Sequence, residues 1–367
     1  MKKKYINKKI LDFFFILILI LFIGRSFYNN LQYGSDFQTP YDLSIYFWEK
    51  NDVFQYTDRN PLYPHSLYIL LLPFTLFKIE IIKIIFFLVN IYFLVSSIFI
   101  IKKNYFLSSD ETKILTLIAF TATPFTNILA IGNLSLAVFF FLLSFYFSKS
   151  KITKGVYLFL SFIKYNVSFI FILHSFLKKE YKVIFYFILF NFISTLFYFY
   201  YLNIFKFEKI LDPYIFALSL VNKDVSGINN GLFSIQNLLI ILGIKKYYIF
   251  IFLILILLIS YLFKNKKIDK LQQLNLLFIF STLLVYHGMY EFVILLPLVA
   301  YLIKEKKNIR FFYFHAFTIA FIYYLYRINQ LILKNFFLDK TMSIIGCLLL
   351  TTSSLLLIFS KSRKLNN

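Results

Sequence analysis

Apolar runs recur along this chain so closely that helices in a membrane are almost the only fold left to it. They fall at about 10–28, 66–77, 80–101, 113–131, 134–147, 155–176, 183–203, 235–243, 247–263, 271–286, 291–303, 310–327 and 341–360. Lipid offers no hydrogen-bond partners to a backbone, so each segment must satisfy its own N–H and C=O groups, which an α-helix does. A crossing needs roughly 20 apolar residues. Only 15% of the residues are charged, against about 25% in soluble domains. The expected fold is therefore all-α. It is a single integral-membrane domain over residues 1–367, a multi-pass transmembrane bundle of about 10–13 membrane helices.

The formal net charge of +22 does not point to nucleic acid. Its lysines sit in short clusters between the apolar runs, at 1–9, 102–103, 149–154, 178–182, 264–270, 304–310 and 361–364. Cytoplasmic loops carry such clusters under the positive-inside rule. Both termini are then cytoplasmic, and the setting is a cytoplasmic (plasma) membrane with lipid as the surrounding partner. The basic start, Met1–Lys9, leads into an apolar run at Leu11–Ile23 with no small-residue cleavage site after it. An uncleaved first span is expected. Cys347 is the one cysteine, which excludes an internal disulfide and a cysteine metal site.

The acid-bearing segments 29–65 and 204–231 would face outward. The first is a polar loop after span one, holding Asp36, Asp42, Glu49, Asp52 and Asp58 and closing on Tyr63-Pro64-His65. The run 155–176 is flanked by lysines on both sides, so it is expected to enter the membrane and return. Each leg would be too short to cross at 1.5 Å per residue. The turn would fall near Ile163-Lys164-Tyr165-Asn166, placing Lys164 at membrane depth, where an ionisable group marks function by default. One continuous span with a snorkelling Lys164 is the alternative.

Three outward places thus collect polar groups: the first loop, the tip at Lys164, and His287 with Glu291, four residues apart and on one helix face if the span begins there. Gly132-Asn133 is a further outward position. A carboxylate within hydrogen-bond reach can take a hydroxyl's proton. A lysine or histidine can neutralise charge building on a leaving phosphate. Outside the cytoplasm no nucleotide-sugar pool exists, so sugar transfer there needs a lipid-carried donor. The plainer readings are that loop carboxylates are merely solvated, that His65 caps the following helix, and that His287 and Glu291 form a helix-face pair. His174 and His315 read as structural. No cluster has metal-ligand spacing and no phosphate-cradling glycine loop is present. A divalent metal shared by Asp36 and Asp42 is possible in principle, but nothing demands it, and no cofactor is indicated.

The order of features resembles a known pattern. Gly34-Ser35-Asp36-Phe37 follows span one, and Leu62-Tyr63-Pro64-His65 runs on to Pro73. Ile131-Gly132-Asn133-Leu134-Ser135 precedes a span, Gly155 to Leu160 leads to Ile163-Lys164, and Tyr286 to Glu291 forms a late histidine loop. The series resembles the GT-C superfamily of membrane glycosyltransferases. It is most similar to glycosyltransferase family 87, the polyprenyl-phosphate-mannose-dependent mannosyltransferases, over most of residues 10–305. The resemblance implies inverting transfer of a hexose, mannose first, from a polyprenyl-phosphate sugar to a lipid or glycan acceptor on the outer membrane face. It implies Asp36 as base, with Asp42 second, and Tyr63, His65, Asn133, Lys164, His287 and Glu291 binding substrate. His65 and Tyr165 depart from it, since prolines are common at both places. The rival expectations are a transporter or flippase, with inverted repeats and midplane charges, and a surface-polysaccharide polymerase.

Overall fold

The computed structural model describes residues 2–33, 36–55, 61, 63–204, 207–215, 234–241, 268–284, 289–304, 309–325 and 336–359, with scattered positions between 243 and 260. Every regular element among them is helical. In chain order these are α1 (Lys2–Tyr33), α2 (Gln38–Trp48), α3 (His65–Leu71), α4 (Ile79–Tyr105), α5 (Ser109–Thr121), α6 (Thr123–Ile131), α7 (Ser135–Phe147), α8 (Lys151–Ser161), α9 (Tyr165–Leu177), α10 (Tyr181–Leu202), α11 (Ile235–Ile241), α12 (Lys270–Leu284), α13 (Leu296–Lys304), α14 (Ile309–Ala320) and α15 (Phe336–Phe359).

Among the described residues, four stretches are long and apolar enough to cross a bilayer: Lys9–Gln32, Ile79–Tyr105, Lys151–Leu177 and Tyr181–Leu202. A fifth results if α5 and α6, bent by 55°, count as one. Pro124 lies in the first turn of α6. Its ring bars the preceding residues from continuing the helix, and the break at Ala122 is where the bend falls. The crossing-length helices keep lipid-like faces: Phe13, Ile16, Ile20 and Leu21 on α1 and Phe185, Ile188 and Phe192 on α10 are exposed.

The sequence predicts about 10–13 membrane helices. Among the described residues fewer are of crossing length, the run 247–263 lies largely outside them, and part of the difference is local. Several apolar runs form short helices paired into hairpins. Taken by length, Lys151–Leu177 would be one 27-residue span. As a straight rod it would hold residues 154 and 180 about 39 Å apart. Instead Lys154 Nζ lies 2.7 Å from Glu180 Oε1. Phe145 carries Lys154 over its ring and also packs on Phe171. The two ends therefore meet, and 162–164 is the turn, a single 3₁₀ step in which Lys164 leaves helical geometry at φ −122°, ψ 83°. The expected fold-back at Lys164 is present.

A second hairpin stands beside it. Gln272 near the start of α12 donates to Tyr301 near the end of α13, at 3.3 Å. Between them 289–295 forms a 3₁₀ stretch carrying Glu291. The α12 helix is buried on every side from Gln272 to Leu284 and forms the axis of the core, as an apolar helix without a polar face must.

The molecule has two ends. At one, Tyr146 donates to the Lys270 carbonyl at 2.7 Å, and Lys304 donates to the Phe106 carbonyl at 2.9 Å. Lys102, Lys103, Lys151 and Lys154 lie on helix ends at that same level. The other end holds the tips of both hairpins, about 20 Å higher by the length of α7, under a layer made by α2, α3 and the last turns of α10.

Candidate functional site

The site begins with a helix end. α6 stops at Gly132, whose φ of +71° suits glycine alone without strain. A Cβ there would also press on Phe37 Cβ at 3.2 Å. The Asp36 N–H donates to the Ile131 carbonyl at 3.2 Å, and Asn30 Nδ2 donates to the Leu129 carbonyl at 3.1 Å. The chain leaving α1 is thus stitched to the end of α6, which sets the position of Asp36.

Asn133 follows directly. Its Oδ1 accepts from the Ser135 N–H at 2.9 Å, satisfying a donor that α7 would otherwise leave open. The same oxygen accepts from Ser135 Oγ at 2.7 Å and from Lys164 Nζ at 2.9 Å. Three donors converging on one atom fix the amide's orientation, so Nδ2 must point the other way. It donates to Asp36 Oδ2 at 2.8 Å. Asp36 Oδ1 has no partner among the described residues.

Lys164 holds the middle. Its ammonium donates to Asn133 Oδ1 and Ser135 Oγ, each at 2.9 Å, and to Glu291 Oε1 at 2.8 Å. An ammonium has three N–H bonds, and all three are used. Lys164 is 7% and Glu291 5% exposed, so this is a buried pair whose charges need each other. Tyr290 lies under the ammonium, its ring centroid 4.8 Å away. Asn166 approaches the other Glu291 oxygen at 3.4 Å. One hydrogen-bonded chain thus runs Asp36–Asn133–Lys164–Glu291, built from the loop after α1, the α6–α7 junction and the tips of both hairpins.

Tyr63 stands next to this chain. Burial of its hydroxyl, and then the Asp36 and Glu291 carboxylates, push that hydroxyl well above the usual tyrosine range. It remains a neutral donor. Of the residues singled out from sequence, Asp36, Asn133, Lys164 and Glu291 come together and Tyr63 adjoins them. Asp42 does not join: on α2 its Oδ1 accepts from Gln38 Nε2 at 2.7 Å. His287 lies outside the described residues. Glu291 sits in a 3₁₀ stretch, and its expected pairing with His287 therefore lies outside the described residues.

His65 belongs elsewhere. Its ring packs 4.5 Å from Tyr198 and 5.1 Å from Phe54. Beside it, Tyr198 donates to Asp52 Oδ1 at 3.0 Å, and Lys209 pairs with Asp52 Oδ2. The sequence shows Asp52 only as one of the first loop's five acids; its burial against Tyr198 and Lys209 had no sequence signal, because these partners lie some 150 positions away. Ser135 was also missed as a polar partner of Lys164, although it stands in the quoted Gly-Asn segment. No group of three or more acids, histidines or cysteines that could hold a metal occurs among the described residues.

Comparisons with protein-family models, with curated proteins and with solved structures return no match. What the site does must be argued from its own chemistry.

Proposed function

We propose that the protein is an inverting glycosyltransferase. It would move a hexose, mannose first, from a polyprenyl-phosphate sugar to a hydroxyl of a lipid or glycan acceptor on the outer face of the cytoplasmic membrane. The observation that carries this reading is the linked chain from Asp36 to Glu291, which leaves one carboxylate oxygen open beside a buried, fixed positive charge. The sequence resemblance to GT-C enzymes supports it independently.

In the proposed step, Asp36 Oδ1 accepts the proton of the acceptor hydroxyl. The freed oxygen attacks the anomeric carbon from the face opposite the phosphate. The carbon–oxygen bond to phosphate breaks, and the lipid phosphate leaves with the electron pair. Asn133 donates to Asp36 Oδ2 and so fixes the carboxylate with Oδ1 turned free for the acceptor's proton. Lys164, paired with Glu291 and with every N–H engaged, holds the Asn133 amide fixed, so Asp36 is already oriented and costs no reorganisation during reaction.

The test is transfer by purified protein from radiolabelled polyprenyl-phosphate sugars. Asp36→Asn should lower the rate by about 10²–10³ or more, while Asp42→Asn retains it. Full activity in Asp36→Asn moves the base to Asp42, and loss of neither rejects the reading.

A second reading rests on the buried Lys164–Glu291 pair, since intramembrane charges also mark transport pathways. Proton- or sodium-driven uptake of solute into proteoliposomes would favour a transporter.

A further inference from the structure

A cleft of about 290 Å³ opens between α1, α4 and α5 at the lysine-rich end of the bundle. It is far from the candidate site. Lys113, on its wall, pairs with Asp12, whereas Asn30 marks the level of Asp36, and these two α1 residues are about 27 Å apart along the helix. Its lining changes character along its length. α4 contributes Val95, Ile98, Phe99 and then Lys102 as it descends, and α1 contributes Phe15 and Leu19 above Asp12. α5 rises from the same end with Ser109, Thr112 and Lys113. Both cations, with Ser109 and Thr112, therefore gather at the end of the helices, and the aromatic and branched side chains gather toward their middles, where Thr116 is the one polar lining residue and turns its hydroxyl onto its own helix. That gradient matches an amphiphile lying parallel to the bundle.

The charges settle which amphiphile. Lys113 is already neutralised by Asp12. Lys102 is half-buried in the cleft wall, yet its ammonium has no partner among the described residues. Buried or half-buried cations are normally paired. The Thr112 and Thr116 hydroxyls donate to the Ser108 and Thr112 carbonyls, so Ser109 supplies the hydroxyl left to meet a phosphate oxygen beside Lys102, and the volume is worth about ten waters, room for a headgroup.

We infer that this cleft is a binding site for one anionic phospholipid, its phosphate on Lys102 and the Ser109 hydroxyl and a chain along Phe15, Leu19 and Phe99. The site is independent of the proposed sugar transfer and would exist equally in a transporter.

The experiment uses the full-length protein in nanodiscs of equal phosphatidylglycerol and phosphatidylcholine. Co-purifying lipid is counted by native mass spectrometry after mild release. Wild type should retain one phosphatidylglycerol in preference to phosphatidylcholine. Lys102→Gln should reduce that preference about fivefold, the effect of one lysine near an anionic headgroup. Lys103→Gln, exposed and off the cleft, should leave it unchanged, which separates a built site from diffuse surface charge. Val95→Phe, narrowing the apolar half, should reduce retention of either lipid. Equal effects of Lys102→Gln and Lys103→Gln overturn the inference, as does a wild type with no preference.

Discussion

At the scale of single residues, the Lys164–Glu291 pair decides how the core tolerates change. Removing one partner leaves the other charge buried and unpaired, which costs about 3–5 kcal/mol. Lys164→Met and Glu291→Leu should each lower the melting temperature in detergent sharply, while the double variant should recover much of the loss. Activity should be lost in Lys164→Met and should not return in the double variant, because in both Asn133 loses the Lys164 donor that orients it toward Asp36. A double variant no more stable than the singles would mean that the charges are not each other's main partner. His65 gives a pH effect with a definite sign. Burial, opposed in part by Asp52, lowers its pKa from 6.5 to about 4. The unfolded chain takes up a proton near pH 6.5 and the folded chain only near 4. Stability is thus complete above about 6.5 and falls as the pH drops toward 4, by about 3 kcal/mol in all. In thermal melts across that range His65→Leu should show a flatter slope than wild type, and equal slopes would refute the assignment.

Individual elements show what the sequence discloses and what it withholds. The fold-back at Lys164 was legible because lysines flank the run 155–176 on both sides, and a chain cannot place both flanks on one side without turning. Asp36, Asn133, Lys164 and Glu291 were each legible as outward polar positions. That Asn133 joins two of them was not, since the join depends on α6 ending where it does and on the amide's orientation. Nor could local pattern find the burial of Asp52, whose partners come from α10 and the 3₁₀ turn at Phe207–Leu211. The hairpin itself can be tested. Lys154→Cys/Glu180→Cys should be bridged by a short bismaleimide, whereas a straight 151–177 helix would hold the two sites about 39 Å apart. The background is low, as the one native cysteine, Cys347, is buried. Close packing supports the same arrangement: a Cβ on Gly155 would fall 2.4 Å from Tyr186 Cβ, so α8 lies hard against α10 with no room for a larger residue.

For the whole molecule, the deciding asymmetry is between its ends. One end gathers Lys102, Lys103, Lys151 and Lys154, and the other carries Asp36, Asp42 on α2 and the buried Asp52. Basic residues near span ends are held on the cytoplasmic side, so the hairpin tips should open outward. For the proposed sugar transfer, that orientation would set the donor chemistry, because only a lipid-carried sugar is available there. It can be read without any activity. Trp48 at the end of α2 is exposed, and Lys103 at the far end of α4 is exposed. Trp48→Cys in intact cells should react with a membrane-impermeant maleimide, and Lys103→Cys should react only after the membrane is opened. The reverse pattern would put Asp36 in the cytoplasm. The site would then face soluble nucleotide sugars, and the case for a polyprenyl-phosphate donor would lose its physical basis even if the hydrogen-bonded chain from Asp36 to Glu291 stood unchanged.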